Sequence, residues 1–561
     1  MPPPSLIRVS VPISAFLATT MAYAFGTEIP AISPTTPNPG LRYYYPVPAA
    51  TAPQTLHVDI CVYGGTPGGV GAAVQARRIG KTSALAVFRR HVGGLTSAGL
   101  TSVDLGKKES IGGMAEEFLN RMGTWKDFRS ADAEKTMRTM LTEAGVPVWF
   151  ERRLDRVEKD GNRIRALVFE NGDRIEADMF IDATYEGDLL ARAGVSFHVG
   201  REGNAAYGEE FNGYFIAYGH QFRFHVDPYR RPGDPASGLL PGISAEPLRA
   251  EGTGDKLVQA YNFRMWLTTA AEGRAFPKPA AYNRDDYALL ERYITSAPAD
   301  FVWDWTYHHG PVKLNLGDCN SAGPVSTDFI GGSNRWPEAG YAEREKIFQA
   351  HVTYQQGMMW YLANDPAIPE KLRNHVNTFG LPRDQFEETD GWSHELYVRE
   401  GRRMIADYVM TEHNCLGKIV AEDSVGLASY TMDSHHTSRV VMKAIVNGRL
   451  GEIVMAEGNV ENPTPKPYPV SYRAIIPRES ECSNLLVPVA VSSSHIAFGS
   501  IRMEPVFMIL GQSAATAAAM AIDSKTSVQE VEYSSLKTRL LADRQRLAWI
   551  PLQPSSSPAE N

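Results

Sequence analysis

A glycine-rich loop between a predicted strand and a predicted helix constrains the fold more than any other feature of this chain. Residues 57–63 form a short apolar run typical of a strand, and the alanine-rich residues 70–79 predict a helix that ends at Gly80. Residues 81–88 predict a second strand. Glycines let the backbone approach a pyrophosphate, and a helix N-terminus supplies free amides and partial positive charge, so this order predicts a dinucleotide-binding unit. The loop consists of Gly64, Gly65, Thr66, Pro67, Gly68 and Gly69.

Two positions of this unit depart from the usual G-x-G-x-x-G pattern. The middle glycine is replaced by Thr66, and the acidic residue expected at the end of the second strand, where it would hold a ribose hydroxyl, is Val87. Arg89 and Arg90 follow, and basic residues at this place suit the 2′-phosphate of NADP. The loop alone therefore leaves two alternatives open. One is a site for NADP, and the other is a Rossmann-like unit that no longer binds a nucleotide.

Charge and hydropathy exclude several classes of protein. With 56 Lys and Arg residues against 64 Asp and Glu, the net charge of -8 excludes a broadly basic nucleic-acid-binding protein. The apolar run 11–25 contains an Ala-x-Ala cleavage pattern at residues 22–24, which predicts a signal peptide and a secreted or secretory-pathway protein. An uncleaved anchor and an artefact of start-site choice are the alternatives, and a protein without a signal peptide would be cytoplasmic. No later segment is a continuous apolar run of about 18 residues, so we expect no stable membrane insertion. The four cysteines form no C-x-x-C motif, and we predict no metal site.

The chain beyond the loop predicts further α/β structure. Residues 148–183 alternate apolar and polar positions with breaks at Asp-Gly and Asn-Gly, which is typical of an antiparallel meander. Residues 484–491 resemble a buried strand, and residues 511–521 predict a helix of very small side chains. Such small side chains permit close approach of the backbone, as in a tightly packed core helix.

The segments that follow this unit occur in a recognisable order along the chain. The run 90–100 contains a second glycine pair, Gly93 and Gly94, at the place where glutathione-reductase-like flavoproteins pass close to the flavin. Taken together, the segments resemble the FAD-dependent oxidoreductase family whose members are often misnamed xanthan lyases, over about residues 57–545. They are residues 90–100, 103–106, 111–118, 181–189, 199–202, 207–210, 258–264, 397–404, 432–436 and 494–505.

This resemblance implies FAD as cofactor and an α/β fold. The expected architecture is a glutathione-reductase-like FAD-binding Rossmann domain with a β-meander, interrupted by an inserted α+β substrate domain that has one helical part near residues 341–363. The predicted segments are a signal peptide (1–24), a Pro-rich linker (25–56), the FAD-binding domain in two parts (57–204 and 396–545), the inserted domain (205–395) and a flexible tail (546–561).

The resemblance also implies cofactor contacts outside the first loop, and it implies that the helix of residues 511–521 directs its N-terminus at the flavin. His91 directly precedes the second glycine pair and is a candidate for covalent flavin attachment. Asp188 is an expected cofactor contact, and a helix cap is the alternative role, which is compatible with that contact. The remaining expected contacts are Gly93, Gly94, Leu95, Thr96, Ala183, Thr184, His495, Gly499, Arg502, Gly511 and Gln512.

The candidate catalytic residues are His435, His436, Tyr430 and Arg264. Oxidation of an alcohol or an amine needs a base, and histidine titrates in the useful range. Two adjacent histidines in a strand face opposite ways, so we expect one of them to meet the flavin, and we favour His436. Arg264 is suited to hold a carboxylate or a polarised oxygen, or else forms an ordinary ion pair.

The favoured function is an FAD-dependent oxidase or dehydrogenase that transfers hydride from a small polar or secondary-metabolite substrate to flavin N5. The alternatives are an NADP-linked reductase that uses Arg89 or Arg90, and a flavin-binding protein without turnover. A polysaccharide lyase is disfavoured because lyase chemistry has no use for a pyrophosphate loop. The sequence leaves the oligomeric state open.

Overall fold

The computed structural model of the chain describes residues 40–217, 219–298, 301–303, 312–446 and 448–550. The predicted signal peptide, the linker up to residue 39 and the tail from residue 551 lie outside the described residues. Those predictions therefore stay predictions.

The described strands are numbered in chain order. They are β1 (Thr55–Tyr63), β2 (Ser83–Ala86), β3 (Val148–Trp149), β4 (Leu154–Asp160), β5 (Arg163–Phe169), β6 (Arg174–Asp182), β7 (Phe197–His198), β8 (Thr268–Thr269), β9 (Val312–Asn315), β10 (Asp318–Ser321), β11 (Phe379–Gly380), β12 (Arg403–Met404), β13 (Ser424–Ala428), β14 (Met432–Ser434), β15 (Ser438–Val446), β16 (Arg449–Glu457), β17 (Val460–Asn462), β18 (Tyr468–Ser471) and β19 (Leu485–Leu486).

The described α-helices are numbered in the same way. They are α1 (Pro67–Arg78), α2 (Gly113–Met122), α3 (Ser130–Glu143), α4 (Asp188–Arg192), α5 (Ala288–Thr295), α6 (Tyr341–Asn364), α7 (Glu370–Val376), α8 (Glu412–Cys415), α9 (His495–Ile501), α10 (Glu504–Ser524) and α11 (Tyr533–Ala542).

One large sheet places the glycine loop. Its strand order is β3-β2-β1-β6-β5-β4, with β19 also beside β6. Strands β3, β2, β1, β6 and β19 run parallel, whereas β4, β5 and β6 form the predicted antiparallel meander. In register, Tyr63 lies beside both Ala86 and Asp182, so β1, β2 and β6 end at one edge of the sheet. Loops leaving the carboxyl edge of a parallel sheet form the ligand crevice of such folds. The predicted Rossmann-like α/β fold is confirmed.

Helix α10 packs against α1 through glycines. A Cβ built on Gly511 would lie 2.0 Å from the carbonyl oxygen of Gly68, and one on Gly71 would lie 2.9 Å from that of Met508. The helix starts at Glu504, earlier than the predicted residue 511, so Gly511 is in its interior. By length and composition α10 is the one described helix that could cross a membrane, but 89% of the relevant window is buried inside the protein.

The middle segment packs onto this framework. Helix α6 matches the predicted helix near residues 341–363, and the same segment contains short strand pairs such as β8 with β11. Phe263 of this segment and Val62 of β1 belong to one continuous hydrophobic core, while the limits of the inserted domain stay a prediction. All four cysteines are buried and free, and burial raises the pKa of the Cys61 thiol.

Candidate cofactor site and active site

The first glycine loop owes its shape to Gly64 and Thr66. Gly64 has a φ of +116°, and a Cβ there would lie 2.5 Å from the carbonyl carbon of Ala183. Thr66 is the N-cap of α1: its Oγ1 accepts a hydrogen bond from the Gly69 amide at 3.3 Å and donates one to the Ala183 oxygen at 2.8 Å. A threonine can replace the middle glycine because its hydroxyl is held against the end of β6 and caps the helix.

A cavity lies over this loop. Seven of the residues expected to contact the cofactor line it, and they are Gly64, Gly65, Thr66, His91, Gly94, Thr184 and Asp188. The other lining residues, most of which the sequence reasoning did not single out, are Tyr43, Tyr63, Val87, Phe88, Arg89, Tyr185, Glu186, His394 and Glu395. Tyr185 and Glu186 belong to the segment 181–189, so the motif itself was the signal that could have found them.

The second glycine loop leads from the cavity to the N-terminus of α10. A Cβ on Gly94 would lie 2.0 Å from the Tyr185 hydroxyl oxygen. That hydroxyl accepts a hydrogen bond from the Leu95 amide at 3.0 Å and donates one to Glu504 Oε1 at 2.7 Å. Burial raises the pKa of Glu504 to about 8, with smaller opposing effects from Tyr185 and Thr96. Thr96 Oγ1 and Glu504 Oε2 are buried, and neither has a hydrogen-bond partner among the described residues.

These features fit FAD. The glycine loop and the start of α1 suit a pyrophosphate, because Gly65 leaves room that a side chain would fill against Val87. The buried unsatisfied oxygens of Thr96 and Glu504 suit the polar edge of a flavin ring. Gly64, Gly65 and Gly94 would therefore hold the cofactor by close backbone approach.

Asp188 lies at the first position of α4 and is held by arginines. Arg344 reaches it at 2.7 Å and Arg402 at 2.9 Å, and Arg344 is fully buried. Burial opposes ionisation, but the two guanidinium groups outweigh it and keep the pKa of Asp188 well below its ordinary value. The carboxylate is therefore a fixed negative charge on the cavity wall that ties α4 to α6.

His91 is bonded at both ring nitrogens. Nδ1 lies 2.9 Å from Glu134 and Nε2 lies 2.5 Å from Glu388, while the ring stacks on His394 at 3.7 Å. Burial lowers the pKa of His91. The two carboxylates raise it by a larger amount, so the net shift is upward. Burial and the His91 charge lower the pKa of His394 well below its ordinary value. Covalent flavin attachment at His91 would have to displace one of its carboxylate partners.

A second polar cluster lies beyond the Gly94 loop, and we call it the recess. A Cβ on Gly99 would lie 2.1 Å from the Arg264 oxygen, which places Arg264 directly against the chain that leaves this loop. The Asp104 side chain is exposed, and Arg264 is the positive charge that acts most strongly on its carboxyl. Tyr430 and Arg502 also act on Asp104, and Arg502 donates to Asp433 Oδ2 at 2.8 Å. The recess thus unites the predicted residues Arg264, Tyr430 and Arg502.

His435 belongs to the recess. Its Nδ1 lies 2.6 Å from Asp328 Oδ2, its Nε2 lies 3.6 Å from Asp433 Oδ2, and its side chain is 21% exposed. Burial and the Arg399 charge lower the pKa of His435, but the two carboxylates outweigh them and the pKa is raised. Sequence reasoning missed Asp328, because it lies in no motif and 107 positions from His435.

His436 has other surroundings. Strand β14 ends at Ser434, so the adjacent histidines lie beyond it and not within a strand as expected. The His436 ring is buried, its Nε2 has no hydrogen-bond partner among the described residues, and burial with nearby positive charges lowers its pKa to about 3. Of the two histidines, the structure brings His435 to the recess, whereas the sequence argument favoured His436.

The comparisons with known proteins bear on this architecture. A family model described as FAD dependent oxidoreductase matches residues 59–540, which is most of the chain. The chain belongs to this family. It is therefore an FAD-dependent oxidoreductase enzyme with FAD as its cofactor. No curated protein matches the chain.

Several solved structures are similar to parts of this chain. THI4 of Thermovibrio ammonificans is 21% identical, with a TM-score of 0.22, over 26% of this chain and 66% of that one. A geranylgeranyl bacteriochlorophyll reductase-like protein of Thermoplasma acidophilum is 17% identical, with a TM-score of 0.21, over 25% and 43% of the chains. A flavin-containing monooxygenase of Stenotrophomonas maltophilia is 21% identical, with a TM-score of 0.19, over 27% and 44%. The matches span less than two thirds of those proteins and carry no argument about activity.

The remaining residues that were expected to contact the cofactor make packing contacts within the protein. His495 bonds Glu400 at 2.7 Å, and Gly499 leaves room for the Asp433 backbone, at 2.4 Å from a built Cβ. Gln512 accepts from the Met114 amide at 2.8 Å. These three residues and Gly511 are absent from the cavity lining, and they position β14, α2 and α1. Pro67, Gly68, Gly69 and Ala183 shape the first loop, and Gly93, Leu95 and Thr96 shape the second.

Proposed function

We propose that this flavoprotein is an oxidase or dehydrogenase that removes a hydride and a proton from a small polar substrate, either an alcohol or an amine. Bound FAD supplies the hydride acceptor at N5. The observation that carries the proposal is the pairing of His435 with Asp328 at the partly exposed recess. A base oriented by a carboxylate is the arrangement that general-base chemistry needs.

His435 takes up the substrate proton in this proposal. With Nδ1–H donated to Asp328, the neutral imidazole has its lone pair on Nε2, which faces the Asp433 side of the recess. The raised pKa makes the neutral form a stronger base and also requires a higher pH to populate it.

The charges of the recess favour a neutral polar donor group. Three guanidinium groups balance three carboxylates, so these six groups together carry no net charge. A neutral substrate keeps that balance, and His435 adds one positive charge when it takes up the proton. Tyr430 can hydrogen bond to a substrate hydroxyl or amine in the same recess. A small secondary metabolite with such a group falls within this class. The six charged residues are Arg264, Arg399, Arg502, Asp104, Asp328 and Asp433.

An NADP-linked reductase has less support. Arg89 lies 3.5 Å from Glu395, and Arg90 lies 2.9 Å from Glu151, so both arginines proposed for a 2′-phosphate already pair with carboxylates.

The test is anaerobic bleaching of the flavin absorption near about 450 nm by a panel of small alcohols, amines and hydroxy acids. Bleaching by one compound, with rapid recovery in air, identifies an oxidase. Recovery that needs a dye acceptor identifies a dehydrogenase. A holoprotein that no compound bleaches, but that NADPH reduces, would replace the proposal with the reductase. Resistance to both would leave a flavin-binding protein without turnover.

We also propose that the protein is secreted, on the basis of the Ala-x-Ala pattern at residues 22–24. N-terminal sequencing of the protein from its native host tests this. A mature chain that starts at residue 25 supports secretion, and an intact N-terminus contradicts it.

A further inference from the structure

The end of β2 offers no carboxylate to the cofactor ribose. Folds of this type normally place an acidic residue there to accept hydrogen bonds from the ribose hydroxyls. In this protein the chain continues from Ala86 into Val87 and Phe88, and both of these side chains line the cavity. A ribose diol bound beside them would lack an acceptor unless another part of the chain supplies one.

Three carboxylates line the cavity, and two of them already face arginines. Asp188 is bonded by Arg344 and Arg402, and Glu395 lies 3.5 Å from Arg89. Glu186 is different, because among the described residues its carboxylate forms no ion pair, and its hydrogen bond is to its own backbone amide.

Glu186 also lies on the side of the cavity where the ribose is expected. After burial, the Glu186 charge is the strongest influence that raises the pKa of Tyr43. The Tyr43 ring stacks on Phe88 with centroids 4.8 Å apart, directly after the position that lacks the acid. Arg344, Asp188 and Glu395 are the charged groups that act on Glu186.

We propose that the Glu186 carboxylate accepts hydrogen bonds from the adenosine ribose hydroxyls of FAD, in place of the acidic residue that is missing at Val87. The inference rests on FAD binding and specifies how this chain recognises the adenosine half of the cofactor. It also explains how Val87 is compatible with FAD, since the acceptor comes from the loop after β6 and not from the end of β2.

The test is a flavin titration of the apoprotein followed by fluorescence quenching. Burial raises the pKa of Glu186, so the titrations are run at about pH 8.5, where its carboxylate is ionised. For E186Q we then expect FAD affinity to fall about tenfold or more, because the charged acceptor is replaced by a weaker neutral one. FMN contains the ribitol but no adenosine, so its affinity should be unchanged. An FAD analogue with a deoxygenated adenosine ribose should bind wild type as weakly as FAD binds E186Q, with little further loss in the variant.

D155N is the control, since it removes an exposed carboxylate outside the cavity and should not alter the ratio of FAD to FMN affinity. Circular dichroism and Tm of both variants check folding. Equal FAD affinities of wild type and E186Q would overturn the proposal, and so would an equal loss for FMN, which would assign Glu186 to the ribitol. Failure of wild type to bind FAD would count against the cofactor itself and not against the role of Glu186.

Discussion

Asp328 Oδ2 lies 2.6 Å from His435 Nδ1, although 107 positions separate the two residues in the chain. The carboxylate fixes the imidazole and raises its pKa against the effect of burial. We expect the rate of flavin reduction by substrate to rise with pH as His435 loses its proton, with a midpoint above about 6.5. In D328N the midpoint should move to lower pH, and stopped-flow reduction across pH measures it. An unchanged midpoint would show that another group is the base.

The two histidines should differ sharply on substitution. We expect H435Q to lower the rate of flavin reduction by about 10² to 10⁴, the usual contribution of a general base. H436Q is the matched control, because His436 is buried and its pKa of about 3 keeps it neutral. Single-turnover rates at saturating substrate measure the difference. A larger loss in H436Q than in H435Q would return the assignment to the residue that the sequence favoured.

Substitution of Gly94 should damage cofactor binding. A Cβ there would lie 2.0 Å from the Tyr185 hydroxyl oxygen, so alanine must displace the side chain that joins the second loop to Glu504. We expect G94A to purify with little flavin. G80A is the control, since Gly80 also has a positive φ but nothing lies within 4 Å of its Cβ. The ratio of flavin to protein absorbance reports the outcome, and equal flavin content in both variants would contradict the prediction.

Glu504 should make stability depend on pH. Burial raises its pKa in the folded protein to about 8, above the ordinary value of 4.5. The folded state therefore binds a proton that the unfolded state has lost between these values, and stability falls as pH rises, by at most about 1.4 kcal/mol per pH unit from this group. Glutamine mimics the protonated acid, so E504Q should flatten this part of the profile. Tm of both proteins between pH 5 and pH 9 tests it, and parallel curves would refute it.

Removal of the Asp188 charge should destabilise the fold. D188N leaves Arg344 buried without its carboxylate partner, which typically costs about 3–5 kcal/mol. The control is D155N, which breaks the exposed pair of Asp155 with Arg156 and should cost at most about 1 kcal/mol. Urea denaturation of the apoproteins measures both. Similar losses in the two variants would mean that the buried network is not what ties α4 to α6.

The sequence by itself determined the nucleotide fold. The strand, glycine loop, helix and second strand are encoded by neighbouring residues, since the apolar periodicity and the glycines that break it are local features of the sequence. The meander was equally readable, because the Asp-Gly and Asn-Gly breaks specify its turns. The order of the family segments identified FAD before any geometry was known.

Only the tertiary structure decided which side chains meet. His435 and His436 are adjacent, yet Asp328 and Asp433 hold one at the recess while the other is buried apart from it. Gly511 and Gly68 are far apart in the chain, and their contact shows that the stripe of small residues serves helix packing. The periodicity of a segment shows which of its faces is apolar. Contacts between distant segments depend instead on how the whole chain packs. The site consists of such contacts, so the sequence alone did not reveal it.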